Sequence, residues 1–121
     1  MIEPIPGFPP NVLAFACKGR VTRADYETVL IPAIDKALKT PGKLRLLYEL
    51  GPAYAGFDAG AMWDDFKVGM EHLTRWERIA LVTDVDWIRH TIDAMAFLMP
   101  AKVRVFPASA EADARKWIVA D

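Results

Sequence analysis

The feature that most constrains this chain of 121 residues is an alternation of short apolar runs with segments typical of helices. The runs are rich in Val, Leu, Ile and Phe and are nearly continuous, as in strands that are buried on both faces. Such strands usually lie parallel and are joined by helices that cover the sheet. The sequence therefore predicts an α/β fold with a largely parallel sheet. The runs are "NVLAFAC" (11–17), "KLRLLYEL" (43–50), "RIALVT" (78–83) and "KVRVF" (102–106).

Helix signals fill the intervals between these runs. Thr22, with Asp25 three residues later, has the pattern of a capping box with an acidic residue, and it predicts a helix over residues 23–39. Pro32 lies inside this helix and removes one backbone hydrogen bond, which predicts a bend. Further helices are predicted over 59–74, 84–99 and 109–120, with Thr83 and Asp86 as a second capping box and Ser109 as the last cap.

The N-terminal stretch "MIEPIPGFPP" (1–10) is proline-rich, which predicts a short edge strand paired with the first apolar run. It has neither the basic region nor the apolar region of a signal peptide. No apolar run approaches the roughly 18 residues that span a bilayer, and Cys17 is the single cysteine of the chain. These observations predict one domain over residues 1–121, located in the reducing cytoplasm.

The charge pattern argues against binding to nucleic acid. The formal net charge is −1, with 15 Lys and Arg residues against 16 Asp and Glu residues, whereas phosphate recognition normally shows as a basic stripe. The basic pairs that flank the strands are predicted to be solvated strand ends. They are Lys43 with Arg45, Arg75 with Arg78, and Lys102 with Arg104.

A glycine-rich loop is predicted over residues 51–58, between the second apolar run and the following helix. Gly51 and Gly56 have the spacing of the two glycines in a phosphate-binding P-loop. That motif continues with Lys and then Ser or Thr, but Phe57 and Asp58 stand there in this chain. Because a carboxylate at the start of a helix would repel a phosphate, the sequence predicts neither a nucleotide site nor any cofactor.

Enzyme signatures are sparse in the sequence. His72 and His90 lie on different predicted helices without a cysteine nearby, so no metal site is predicted. Tyr48 and Glu49 lie near the end of a strand, where active sites of α/β proteins gather, but no nucleophile or base accompanies them. The sequence therefore favours a protein without enzymatic activity. The remaining candidates for an enzyme are Asp58, Asp64 and Asp65.

Two predicted helices carry more apolar surface than one sheet-facing stripe requires. On the 84–99 helix, Ile88 and Ile92 belong to the stripe that faces the sheet, and Trp87 begins a second stripe about 100° away. A binding site for an apolar ligand explains this surplus, and so does packing of the two helices against each other. Trp76 and Trp117 are predicted to be packing residues.

The predicted apolar site lies between the 59–74 and 84–99 helices, beneath the glycine-rich loop. Met and Trp side chains suit such a site because Met adapts its shape and Trp is amphipathic. The exposed contact with a membrane or a second subunit is predicted to be Phe97. The predicted walls and floor are Trp63, Phe66, Trp87, Leu98 and Met99, and the lid contains Gly51, Gly56 and Asp58.

Three blocks of sequence are similar to the SpoIIAA-like group of the STAS superfamily, which has also been compared with the CRAL-TRIO lipid-binding fold. The resemblance covers nearly the whole chain. It implies a five-stranded mixed sheet with an antiparallel edge strand and four helices. The blocks are "LLYELGPAYAGFDAGAMWDD" (46–65), "ERIALVTDVDWIRH" (77–90) and "FLMPAKVRVFP" (97–107).

The resemblance also implies a function. STAS proteins of the anti-sigma-antagonist type are phosphorylated on a serine, and Ala59 stands near the matching position in "FDAGA" (57–61), which holds no hydroxyl. The leading hypothesis is therefore a non-enzymatic cytoplasmic module that binds a small apolar or lipid-like molecule and associates peripherally with membranes. The alternative is a STAS-type interaction module, acting as a homodimer or with another protein, without the phosphoserine switch.

Overall fold

The computed structural model describes residues 1–57, 75–96 and 101–120, and they form one five-stranded sheet. The strands are adjacent in chain order. The first strand is antiparallel to the second, and the other pairs are parallel. The predicted α/β fold with an antiparallel N-terminal edge is therefore confirmed. The strands are β1 (Ile2–Pro4), β2 (Val12–Val21), β3 (Leu44–Phe57), β4 (Trp76–Val82) and β5 (Lys102–Phe106).

Three helical regions accompany this sheet in the described part of the chain. The region α1 consists of an α-helical turn, a π-helical segment and an α-helix that follow one another directly. The predicted 59–74 helix lies outside the described residues. The regions are α1 (Arg23–Asp25, Tyr26–Leu30 and Ile31–Leu38), α2 (Asp86–Ala96) and α3 (Glu111–Val119), with a 3₁₀ turn (Ala108–Ala110) before α3.

The start of α1 has the capping box that the sequence predicts. The Thr22 N–H donates to the Asp25 carboxylate over 2.8 Å, and the Asp25 N–H donates to the Thr22 hydroxyl over 3.3 Å. The irregularity expected at Pro32 takes the form of the π-helical segment before it, in which the Ile31 N–H bonds the carbonyl of Tyr26. Pro32 then occupies the first turn of an α-helix, where its missing N–H costs least.

The predicted cap at Ser109 is wrong. Ser109 lies inside the 3₁₀ turn, and the N-cap of α3 is Ala110, which makes no side-chain capping bond. The carboxylate that serves this corner comes from Asp84, in the loop after β4, and accepts from the Ala108 N–H over 3.0 Å. The acceptor at this turn is therefore a carboxylate distant in sequence and not the nearby hydroxyl of Ser109.

The predicted capping box of Thr83 with Asp86 is also wrong. The Thr83 N–H still donates to the carbonyl of Phe106, over 2.9 Å, so this residue continues the pairing of β4 with β5. Its hydroxyl accepts from the Val85 N–H over 3.0 Å, which forms a tight turn. Because α2 begins at Asp86, that carboxylate stands too early in the helix to close a box.

The predicted loop over 51–58 is wrong for residues 51–57, which belong to β3. Gly56 pairs with Arg20 of β2, and the parallel ladder continues to the end of both strands. Gly51 and Gly56 are therefore strand residues and do not form a loop over the site. Local composition indicates a turn here, but the longer β2 supplies the partner that keeps the backbone extended. Asp58 lies outside the described residues.

The two faces of the sheet differ in composition because successive strand residues point to opposite sides. We call them the α1/α2 face and the α3 face after the helices that cover them. The α1/α2 face contains Leu13, Phe15, Cys17, Leu46, Tyr48, Leu50, Ile79, Leu81 and Val105. The α3 face contains Val12, Ala14, Leu47, Ala80, Val82 and Phe106, and the same alternation adds Arg45, Glu49, Arg78 and Arg104.

Candidate functional site

Trp87, in the first turn of α2, is the member of the predicted apolar site whose side chain the structure describes. The next residue, Ile88, is buried in the core of the α1/α2 face, and Ile92 packs against the same core. The sheet-facing stripe of α2 is thereby confirmed at these two residues. The Trp87 side chain is 52% exposed. The other predicted members lie outside the described residues and stay predictions: Trp63, Phe66, Phe97, Leu98 and Met99.

The exposed side chains of α2 include two carboxylates besides the ring of Trp87. Asp86, His90 and Asp93 are exposed and follow one another along a stripe of α2, at intervals of four and three residues. Ala94 is also exposed. We call these five exposed residues, 86, 87, 90, 93 and 94, the Trp87 surface. It combines one large apolar ring with two carboxylates.

A second candidate region lies on the α3 face, where the Glu49 carboxylate is 8% exposed. The Arg115 guanidinium of α3 donates to both of its oxygens, over 2.9 and 3.0 Å. Arg115 also reaches Glu111, one turn earlier on the same helix, over 2.9 Å. The hydrogen bonds that Arg115 donates to Glu49, together with the negative charge of Glu49, hold the pKa of Arg115 above its ordinary value. The bidentate geometry makes this pair a device that fixes the position of α3.

Tyr48 points away from Glu49, to the opposite face of the sheet. Its hydroxyl lies 3.2 Å from the hydroxyl of Tyr26, and both tyrosines are buried. The two residues considered together as enzyme candidates therefore do not converge on one cleft. Among the described residues, no group of three His, Cys, Asp or Glu side chains could hold a metal ion. The remaining enzyme candidates, Asp58, Asp64 and Asp65, lie outside the described residues.

Three of the basic residues at the strand starts, Arg45, Arg75 and Arg78, are not merely solvated ends, which corrects the sequence prediction for them. Arg45 donates to the carbonyls of Ile118 and Ala120 over 2.9 and 2.6 Å. Arg78 donates to those of Trp117 and Ala120 over 2.7 and 2.8 Å. These carbonyls end α3, so two arginines from neighbouring strands cap its C-terminus.

Arg75 does the same at the end of α1. Its guanidinium donates to the carbonyls of Leu38, Thr40 and Gly42 over 3.2, 2.6 and 3.0 Å. The signal that could have revealed these caps is topological. A helix that follows a strand of a parallel sheet runs back to the edge where the strands begin, and its terminal carbonyls attract cations there.

Trp117 is a packing residue, as the sequence predicts. The guanidinium carbons of Arg78 and Arg104 lie 5.4 Å from the centroid of its ring. The Phe106 ring lies 6.0 Å away at an interplanar angle of 51°. The ring therefore contacts cations as well as apolar groups, and it couples α3 to β4 and β5.

Comparison with known proteins gives a family and a fold. A family model described as SpoIIAA-like matches residues 12–119. No curated protein matches the chain. The fold is similar to the crystal structure of an uncharacterized protein of the DUF3478 family, with a SpoIIAA-like fold, from Shewanella loihica PV-4. The TM-score is 0.77 at 23% identity, over 97% of this chain and 93% of the other.

One further observation bears on membranes. Within the described residues, no helix has both the length and the apolar character needed to cross a bilayer.

Proposed function

This chain belongs to the SpoIIAA-like family, and from that premise we propose that it is a non-enzymatic binding module for an apolar, lipid-like molecule or lipid surface. The binding region includes the Trp87 surface. The observation that carries the proposal is the half-exposed indole of Trp87 beside the buried Ile88. A tryptophan ring suits a boundary between water and apolar groups because it is amphipathic.

Residues other than Trp87 attach α2 to the sheet. Ile88 and Ile92 already attach α2 to the sheet through the core of the α1/α2 face. A polar residue at position 87 would leave that attachment in place and remove an exposed apolar side chain. The half-exposed ring supports a binding role because a tryptophan side chain is amphipathic and suits contact with an apolar molecule at the surface.

The two enzyme candidates that the structure describes, Tyr48 and Glu49, support a binding role over catalysis. The Glu49 carboxylate is held by Arg115 through two hydrogen bonds. Tyr48 lies on the other face of the sheet with Tyr26. A general base needs reach to a substrate proton, and Glu49 is instead committed to positioning α3.

Co-sedimentation with phosphatidylcholine vesicles tests the proposal. Burial of a large side chain contributes about 1.5–3 kcal/mol, so Trp87→Ser should weaken binding by roughly tenfold or more. Val119→Ser is the matched control, because Val119 is an apolar side chain 42% exposed on the other side of the sheet. This control should bind as the wild type does.

Two results would contradict the proposal. One is a wild-type protein that binds neither vesicles nor fatty acids, the latter followed by tryptophan fluorescence. The other is a stable dimer in sedimentation velocity that Trp87→Ser dissociates, because the Trp87 surface would then be an interface between two copies of the chain.

A further inference from the structure

We propose that the outer edge of β5, the side away from β4, binds an extended acidic segment of another protein as an added strand. This inference does not rest on the proposed function, because the Trp87 surface belongs to α2. Two independent observations support it. Among the described strands, β5 pairs with one neighbour, and the exposed guanidinium of Arg104 is positioned by aromatic rings.

The backbone of β5 offers hydrogen bonds at the outer edge. The carbonyl of Phe106 accepts from the Thr83 N–H over 2.9 Å, so the peptide groups of Phe106 face β4. Because the N–H and C=O groups of successive strand residues point to opposite sides within a sheet, those of Val103 and Val105 face away from β4. Unpaired groups of this kind can hydrogen-bond a further strand, which is a recurrent mode of peptide recognition.

The Arg104 side chain is exposed on the α3 face of this strand. Its guanidinium carbon lies 4.8 Å from the centroid of the Phe106 ring and 5.4 Å from that of Trp117. The two rings attract the charge and restrain the side chain. They do not replace the pair of oxygen acceptors that a guanidinium can bond at once. Within the described residues, no oxygen atom accepts a hydrogen bond from Arg104, so this positioned cation can still bond a carboxylate.

The other arginines of the α3 face differ from Arg104 in this respect. Arg45 and Arg78 donate to carbonyls at the end of α3, and Arg115 donates to a buried carboxylate. These three hold the helix on the sheet. Arg104 lies on the strand at the end of the sheet and bonds none of the helix carbonyls, so its charge is directed to the outer edge of β5.

The charges of β5 favour an acidic partner over a second copy of the chain. Lys102 and Arg104 are both exposed, and strand residues two apart lie on the same face. Carboxylates at alternate positions of an added strand would lie opposite them, whereas pairing of two β5 strands would bring like charges together. On the other face, the half-buried Val103 and Val105 favour apolar residues between the carboxylates. The partner segment therefore alternates acidic with apolar residues.

The experiment titrates the protein with three short capped peptides and follows its amide signals by NMR. One peptide alternates Val with Glu, the second alternates Val with Lys, and the third alternates Pro with Glu. At low salt, the wild type should bind the Val–Glu peptide about tenfold more tightly than the Val–Lys peptide. Hydrogen exchange of the Val103 and Val105 amides should slow on binding. The Pro–Glu peptide should not bind, because proline has no N–H for the ladder.

A charge reversal tests the role of Arg104 directly. Arg104→Glu should weaken binding of the Val–Glu peptide by about fivefold or more, because repulsion replaces an attraction. The matched control is Lys36→Glu, which makes the same change in net charge at an exposed residue of α1. This control should bind the peptide as the wild type does.

Four results would overturn the inference. The first is a wild-type protein that binds none of the peptides. The second is equal binding of the Val–Glu and Pro–Glu peptides, which would show attraction by charge without an added strand. The third is binding of the Val–Glu peptide that Arg104→Glu leaves unchanged. The fourth is a stable dimer in sedimentation velocity that Arg104→Glu strengthens, because the outer edge of β5 would then pair with a second copy of the chain.

Discussion

The two faces of the sheet are covered by different kinds of contact. On the α1/α2 face, the core is apolar and contains the buried hydroxyl pair of Tyr26 and Tyr48. On the α3 face, apolar side chains share the contact with ions: Glu49 meets Arg115, and cations lie against the Trp117 ring.

The difference teaches how each helix acquires its position. Apolar contacts are non-directional, so the α1/α2 face obtains stability from area and shape. The α1 helix is also fixed at its end by Arg75. The α3 helix has nine residues and differs in that a residue at its middle, Arg115, bonds the sheet residue Glu49, while Arg45 and Arg78 of the sheet bond its last carbonyls. Charge along α3 thus complements its dipole: acidic groups stand toward its N-terminus and guanidinium groups at its C-terminus.

The largest loss of stability is expected when the apolar core of the α1/α2 face is truncated. Leu30 of α1 is fully buried in the core of the α1/α2 face. Leu30→Ala should lower the free energy of unfolding by about 2–5 kcal/mol, through lost burial and the cavity that remains. Urea unfolding measures it, and the loss should not change with salt. The exposed Glu27→Ala on the same helix should stay within about 0.5 kcal/mol of the wild type. A loss below about 1 kcal/mol for Leu30→Ala would show that this core is not close-packed.

The next largest loss of stability is expected when the ion pair of Glu49 and Arg115 on the α3 face is removed. Arg115→Met keeps an apolar stem but leaves the buried Glu49 carboxylate without its two donors, so it should cost about 2 kcal/mol. Part of this cost should depend on salt, because the Arg115 side chain is 42% exposed. Glu111→Gln removes only the exposed partner and should cost at most about 0.5 kcal/mol.

A double substitution tests whether the charges of Glu49 and Arg115 act as a pair. Glu49→Leu together with Arg115→Met removes both charges, so no carboxylate is left buried and unpaired. The pair should therefore recover much of the stability that Arg115→Met loses. Additive losses in the double-mutant cycle would show that the two side chains act independently, contrary to the 2.9 and 3.0 Å bonds between them.

The smallest effect concerns the start of α1. Hydrogen bonds from Thr22 hold the pKa of Asp25 below its ordinary value of 3.8, with a further contribution from the N-terminal amine. A lowered pKa in the folded state stabilises the fold above the unfolded pKa, and this contribution is lost as the pH falls through the folded value. Asp25→Asn should cost about 1 kcal/mol near pH 7, and its difference from the wild type should shrink below about pH 4. Thermal unfolding at several pH values measures it, with the exposed Asp35→Asn as control. A difference that stayed constant down to pH 2 would contradict the assignment.

The fold could be predicted from the sequence because its signals are local and repeated. The four apolar runs became strands, and Thr22 with Asp25 capped a helix as expected. The strand ends could not be predicted, because the extended backbone of residues 51–57 depends on pairing with β2, a partner distant in the chain. The prediction for the N-terminus of α3 is wrong for the same reason. The Ala108 N–H, in the turn before α3, donates to the distant carboxylate of Asp84 and not to the nearby Ser109.

The site could be predicted in part. The periodicity of α2 placed Ile88 against the sheet and Trp87 outside it, since helical spacing alone fixes which residues share a face. The roles of Glu49 and Arg115 could not be predicted, because they lie 66 residues apart in sequence and meet only through the packing of α3. The position of Glu49 near the end of a strand suggested a catalytic role. In the structure, its carboxylate instead accepts two hydrogen bonds from Arg115 and holds α3 in place.

The central claim is that Trp87 serves binding and not stability, and one variant measured in two ways tests it most directly. Trp87→Ser should lower the free energy of unfolding in urea by at most about 2 kcal/mol, less than the roughly 3–5 kcal/mol expected for a fully buried tryptophan, because the ring is 52% exposed. The same protein should lose binding to phosphatidylcholine vesicles by roughly tenfold or more. A variant that is destabilised by more than about 2 kcal/mol and still binds the vesicles as the wild type does would contradict the claim.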